Sequence, residues 1–74
     1  MMSVKVNNQN ELVNVLSMLD CEEFIIVSFD NNRGYSVMDL YYDRETDKFS
    51  MFDKCDIEFE SLDDMERHLI REYL

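Results

Sequence analysis

Residues 24–29 read Phe-Ile-Ile-Val-Ser-Phe, the most apolar stretch of the chain. It is rich in β-branched and aromatic residues, and it is too short and too continuously apolar for an amphipathic helix. The run therefore predicts a largely buried strand. The polar segment at residues 30–34, Asp-Asn-Asn-Arg-Gly, comes next. Because asparagine and glycine accept the positive φ angles of tight turns, we expect the chain to reverse here.

The residues after this turn predict an antiparallel meander. In residues 35–42, alternation places one set of side chains on one face, Met38, Leu40 and Tyr42, and a second set on the other, Tyr35, Val37, Asp39 and Tyr41. Residues 48–53 predict a third strand. After a bend at residues 53–54, alternation resumes with Cys55, Ile57 and Phe59 inward and with Asp56, Glu58 and Glu60 outward. A brief alternation at residues 4–6 predicts a fourth strand at an edge, on thinner evidence.

Two amphipathic helices flank the strands. The first has Asn8 or Asn10 as its cap, ends at residues 20–22, and repeats apolar residues at helical spacing, namely Leu12, Val15, Leu16 and Leu19. The second starts at a capping-box pattern of Ser61 and Asp64 and carries the stripe Leu62, Met65, Leu69, Ile70 and Tyr73. Together these elements predict a single α+β domain over residues 1–74. Its antiparallel sheet has three strands, or four with the edge strand, and an N-terminal and a C-terminal helix pack on one face.

The composition excludes two classes of partner. The chain has 17 acidic and 7 basic residues, a net charge of -10 and a pI near 4.2. A chain of this charge is repelled by the phosphates of DNA or RNA and by anionic membranes, so we expect neither as a direct partner. Hydrophobic residues make up 46% of the chain, which indicates a folded domain and not a disordered acidic tail.

Motifs for catalysis or cofactor binding are missing from the sequence. His68 is the sole histidine and Gly34 the sole glycine, so a two-histidine metal site and a glycine-rich phosphate loop are excluded. We therefore expect no enzyme activity, no cofactor and no metal. We also expect a cytoplasmic protein, because the apolar runs are too short to span a membrane and no signal-peptide pattern begins the chain.

The two cysteines, Cys21 and Cys55, are 34 positions apart, without the partners that a metal site or a stapled secreted domain would supply. We interpret both as reduced, buried side chains. A disulfide between them and a reactive thiol stay open as alternatives.

The acidic residues are concentrated in the C-terminal half of the chain. On the last strand, alternate carboxylates point the same way at intervals of ~6.6–6.8 Å, and the first turn of the second helix continues the line, which comprises Asp56, Glu58, Glu60, Asp63, Asp64 and Glu66. In size, acidity and mixed layout, with this acidic run, the chain resembles small phage-encoded inhibitors of bacterial defence such as anti-CRISPR and anti-restriction proteins. The resemblance implies a stoichiometric inhibitor, acting in the host cytoplasm. It would occupy a basic groove of a nucleic-acid-handling protein, such as a CRISPR effector, in the manner of a DNA mimic.

A second hypothesis arises from the central strands, which are apolar on both faces although two helices cover only one. The uncovered face would present Tyr35 and Tyr41 as aromatic anchors for a partner. The alternative partner is a second copy of the chain, in a homo-oligomeric structural or regulatory protein whose acidity serves solubility only. A sheet that curls enough to hide these residues would leave no interface at all.

Overall fold

The structure, a computed structural model, describes residues 2–74, which form a five-stranded mixed sheet and three helices. In chain order the elements are β1 (Met2–Val6), α1 (Gln9–Leu16), α2 (Leu19–Glu22), β2 (Phe24–Asn31), β3 (Gly34–Asp43), β4 (Lys48–Phe52), β5 (Asp56–Phe59) and α3 (Leu62–Tyr73). The strands lie in the sheet in this same order. The α+β class predicted from the sequence is confirmed.

The sheet differs from the predicted antiparallel meander at its two edges. β1 is a strand, but it pairs with β2 in parallel, with Met2 opposite Ile25 and Val6 opposite Phe29. Parallel neighbours need a crossover connection, which α1 and α2 supply. At the other edge, the alternation after the bend forms a separate strand, β5, antiparallel to β4. The prediction of three or four antiparallel strands was therefore wrong in both strand number and the direction of the first pair.

The hairpin between β2 and β3 is closed by residues that suit a tight turn. Asn31 and Gly34 are the last paired positions, so the loop has only Asn32 and Arg33 between them. Gly34 has φ 111°, a region in which side chains with a Cβ are strained. The Asn31 side chain accepts a hydrogen bond from the Arg33 N–H at 2.8 Å and donates one to the Tyr73 carbonyl at 2.8 Å. The first bond stabilises the turn, and the second joins the hairpin to the end of α3.

One face of the sheet carries the hydrophobic core. Its strand residues are at most 9% exposed and are Val6, Ile25, Val27, Phe29, Met38, Leu40, Met51 and Phe59. The helices cover them with Leu12, Val15 and Leu16 from α1, Leu19 from α2, and Met65 and Leu69 from α3. The alternation predicted along β3 and the apolar stripe predicted for the last helix are confirmed. The first helix was predicted as one element ending at residues 20–22, and this was wrong, because α1 ends at Leu16 and Leu19 lies in the separate helix α2. Five half-buried strand residues pack against the same core, namely Met2, Val4, Tyr42, Phe49 and Ile57. Because strand side chains alternate between faces, the residues between these inward positions point to the other side of the sheet, which no helix covers within residues 2–74.

The cysteines do not belong to this core. Cys21 and Cys55 are both free and exposed. Cys21 lies in the four-residue helix α2, and Cys55 lies in the bend between β4 and β5. The prediction that they are buried was wrong, because the bend interrupts the alternation on which the inward assignment of Cys55 depended.

The cap of α1 provides a first test of the fold. The Asn8 side chain accepts a hydrogen bond from the Glu11 N–H at 2.9 Å. We expect Asn8→Ala to lower the free energy of unfolding by about 1 kcal/mol, because that N–H loses its partner. Urea denaturation measures the change. Asn10→Ala is the control, since Asn10 is exposed inside α1 and caps nothing. An equal loss in both variants would contradict this role of Asn8.

Candidate functional site

The uncovered side of the sheet, which we call the open face, is defined by strand alternation. It contains the residues that point away from the helices, namely Ser3, Lys5, Phe24, Ile26, Ser28, Asp30, Tyr35, Val37, Asp39, Tyr41, Asp43, Lys48, Ser50, Phe52, Asp56 and Glu58. Their partners in register form rows across the sheet. The surface is therefore set by strand pairing and not by loops.

Large apolar side chains are exposed on the open face. Tyr35 is 69% exposed, Phe52 48%, Val37 41% and Tyr41 38%. Phe24 stacks on Tyr41 with ring centroids 4.9 Å apart. The sheet thus does not curl enough to hide these residues, and Tyr35 and Tyr41 share one face as predicted. A surface cluster of this kind is typical of interaction sites.

The register places carboxylates beside these aromatic rings. One row runs Phe24, Tyr41, Ser50, Glu58, and the next runs Ile26, Asp39, Phe52, Asp56. Strands are ~4.8 Å apart, so Asp56 lies next to Phe52, while Glu58 is two strands from Tyr41. The open face therefore has exposed apolar residues around one central carboxylate, Asp39, and an acidic margin along β5.

Phe52 was not among the site residues that the sequence predicted. Met51 is buried on the core side, so its neighbour Phe52 points to the open face. Residues 48–53 were predicted as a strand, but the faces of that strand were not predicted.

The predicted acidic line is divided by the sheet. Asp56 and Glu58 lie on the open face, and Glu60 follows β5 and contacts the same lysine as Glu58. The other three acids lie on α3, which packs against the core face, and are Asp63, Asp64 and Glu66. The cause is that α3 must bury Met65 and Leu69, so its acids turn away from the open face. The six residues do not form a single surface.

Lysine side chains neutralise part of the acidic margin. Lys48 Nζ is 3.3 Å from Glu60 Oε1 and 3.7 Å from Glu58 Oε1. Its pKa is raised by the hydrogen bond to Glu60 and by the charges of both carboxylates, so it stays protonated at neutral pH. At the opposite edge Lys5 is 3.6 Å from Asp30. Asp56 and Asp39 make no ion pair within residues 2–74, so the open face keeps uncompensated negative charge.

Tyr41 keeps its hydroxyl proton in this environment. Its pKa is raised by desolvation and by the nearby charge of Asp39, to which the hydroxyl donates a hydrogen bond at 3.3 Å. At neutral pH the ring therefore offers an apolar surface with a polar, uncharged tip. Side chains of this type are enriched in protein interfaces.

No protein-family model, curated protein or solved structure matched this chain. Among residues 2–74, no helix has the length and apolar content that a membrane crossing requires. The same residues contain no group of three or more His, Cys, Asp or Glu side chains placed to hold a metal ion.

Proposed function

We propose that this chain is a small acidic binding module that docks through its open face onto a basic surface of a nucleic-acid-handling protein. The observation that carries the proposal is the meeting of exposed aromatic rings and β5 carboxylates on one helix-free face. Protein interfaces commonly place aromatic anchors at the centre and polar groups at the rim. The role is binding and not catalysis.

The charge of the chain selects the class of partner. A net charge of -10 steers association toward a positively charged surface and away from nucleic acid itself. On the open face, Lys5 and Lys48 are already engaged with carboxylates, while Asp39 and Asp56 have no ion pair within residues 2–74 and can meet basic side chains of a partner. Proteins that handle nucleic acid present such surfaces because they must neutralise phosphates.

The divided acidic line favours one mode of action within this proposal. Duplex DNA carries one charge per ~1.7 Å of axis, whereas the alternate carboxylates of β5 are ~6.6–6.8 Å apart and adjoin aromatic residues. The combination of aromatic and acidic residues on the open face suits a protein–protein interface better than mimicry of duplex DNA. We therefore propose a stoichiometric inhibitor that blocks a nucleic-acid site by occupying it. This is also the mode that the resemblance to phage-encoded anti-CRISPR and anti-restriction proteins implies.

Capture and competition test the proposed function. The chain is used as bait in a host lysate at low salt, and each basic protein retained is purified for calorimetry. We expect binding that weakens about tenfold between ~50 and ~300 mM salt, because screening reduces the attraction between opposite charges. We also expect the partner's nucleic acid to compete. A salt-independent affinity, or simultaneous binding of the chain and the nucleic acid, would refute the proposal.

Self-association is a second candidate, favoured by the 69% exposure of Tyr35 and the 48% exposure of Phe52. Two open faces would bring like charges together at Asp39 and Asp56, so such a dimer should strengthen as salt screens them. Sedimentation at low and high salt separates the candidates. A stable dimer that Tyr41→Glu disrupts, together with no affinity for basic proteins, would support self-association.

A further inference from the structure

β5 is the last strand of the sheet and pairs only with β4 among residues 2–74. The backbone hydrogen bonds outside helices and strands do not involve residues 56–59 either. An edge strand presents unpaired N–H and C=O groups, which can pair with an extended segment of another protein. The outer side of β5 is therefore a backbone surface open to strand addition.

The side chains of β5 specify what such a segment would contain. Asp56 and Glu58 are exposed on the open face, while Ile57 is half-buried and Phe59 is buried on the core side. An added strand alternates between the same two faces at ~4.8 Å from β5. Its residues on the open face would lie beside the two carboxylates, and its residues on the other face would cover Ile57. Basic and apolar residues in alternation satisfy both requirements.

The opposite edge of the sheet lacks this pattern. On its open-face side β1 carries Ser3 and Lys5, and Lys5 is paired with Asp30 at 3.6 Å. A basic segment there would meet a lysine and no free carboxylate. Charge complementarity therefore distinguishes β5 from β1 as the site for a basic segment.

We propose that β5 binds an extended segment of alternating basic and apolar residues, which joins the sheet as a sixth strand. This inference rests on the proposed function, because the segment would belong to the basic partner docked on the adjacent open face. The four residues of β5 limit the paired segment to about four to six residues. Backbone pairing supplies affinity, and the alternation of side chains supplies specificity.

Capped hexapeptides are the probes, titrated into the ¹⁵N-labelled full chain and followed by NMR. A peptide that alternates lysine and valine should shift residues 56–59 most, saturate, and slow amide exchange there. A peptide of the same composition, with three lysines followed by three valines, should bind at least about tenfold more weakly. Two further peptides are N-methylated at all lysines or at all valines. One of these two should lose binding, because alternate N–H groups of a strand point to one edge.

A charge exchange separates strand addition from unspecific attraction. In Asp56→Lys with Glu58→Lys, the lysine–valine peptide should bind at least about tenfold more weakly, and a glutamate–valine peptide should bind in its place. Asp63→Lys with Glu66→Lys, on α3, should leave lysine–valine binding at β5 within about threefold. Equal binding of the alternating, scrambled and N-methylated peptides would overturn strand addition. If the purified partner still binds in a salt-dependent way, docking through the open face is supported even when strand addition at β5 is refuted. The two proposals can therefore fail independently.

Discussion

Phe29→Ala is expected to lower the free energy of unfolding by about 3–5 kcal/mol. Phe29 is 1% exposed and stacks on Tyr73 with ring centroids 5.3 Å apart. Removing the ring opens a cavity between the sheet and α3, and it also removes the aromatic contact that holds the end of this helix. A domain of 74 residues has a total stability of about 4–11 kcal/mol. The expected loss in the free energy of unfolding is thus a large part of the total stability.

Phe52→Ala is the matched control for this experiment, since it makes the same change on the open face. Phe52 is 48% exposed, and we expect its replacement to lower stability by less than about 1 kcal/mol. Urea unfolding followed by circular dichroism measures the stability of both variants. If the free energy of unfolding falls with urea concentration at the same slope in both, their unfolded states are comparable. Similar losses in the two variants would mean that Phe29 does not lie in the core.

Periodicity and caps explain why much of this fold could be predicted. Along β3, inward Met38 and Leu40 alternate with more exposed residues, and period-two alternation has few competing interpretations. At α3, the Ser61 side chain accepts a hydrogen bond from the Asp64 N–H at 3.2 Å, as the capping pattern predicted. Strand alternation and helix caps depend only on residues that are close in the sequence, so both can be recognised without the structure.

The direction of β1 could not be predicted in the same way, and although the bend at residues 53–54 was predicted, the separate strand β5 after it was not. Strand direction depends on a crossover that packs α1 on the sheet, and residues 4–6 alternate identically in a parallel or an antiparallel neighbour. The bend at residues 53–55 depends on where β4 stops pairing with β3. Both features are decided by contacts between distant parts of the chain.

The candidate site was predicted in part for the same reason. Alternation was enough to place Tyr35 and Tyr41 on one face and Glu58 on the outward side of its strand. Only the register of the strand pairs shows that Glu58 lies in the same row as Tyr41. The acids of α3 were misplaced because the chain crosses from the sheet to the helix layer at Ser61, and sequence spacing does not indicate which side of the sheet that layer covers.

The double reversal Asp56→Lys with Glu58→Lys is expected to weaken binding of the basic partner about 100-fold. Each reversal puts a positive charge against the partner's cationic surface, and the change at Glu58 also releases Lys48 from the carboxylate 3.7 Å away. The side chain of Glu58 is 64% exposed, so the substitution disturbs little of the core. Calorimetry with the purified partner measures the change, and circular dichroism verifies that the variant is folded.

Asp63→Lys with Glu66→Lys is the control that makes this prediction decisive. Both double variants alter the net charge by the same amount, so long-range steering toward the partner falls equally in both. Asp63 lies in the first turn of α3, and its reversal also weakens the helix by about 0.3–1 kcal/mol, which affects stability and not the open face. We expect the α3 variant to bind within about tenfold of the original chain. If the two variants lose affinity equally, overall charge and not the open face determines binding; if the α3 variant loses more, the partner docks on the helix side of the sheet.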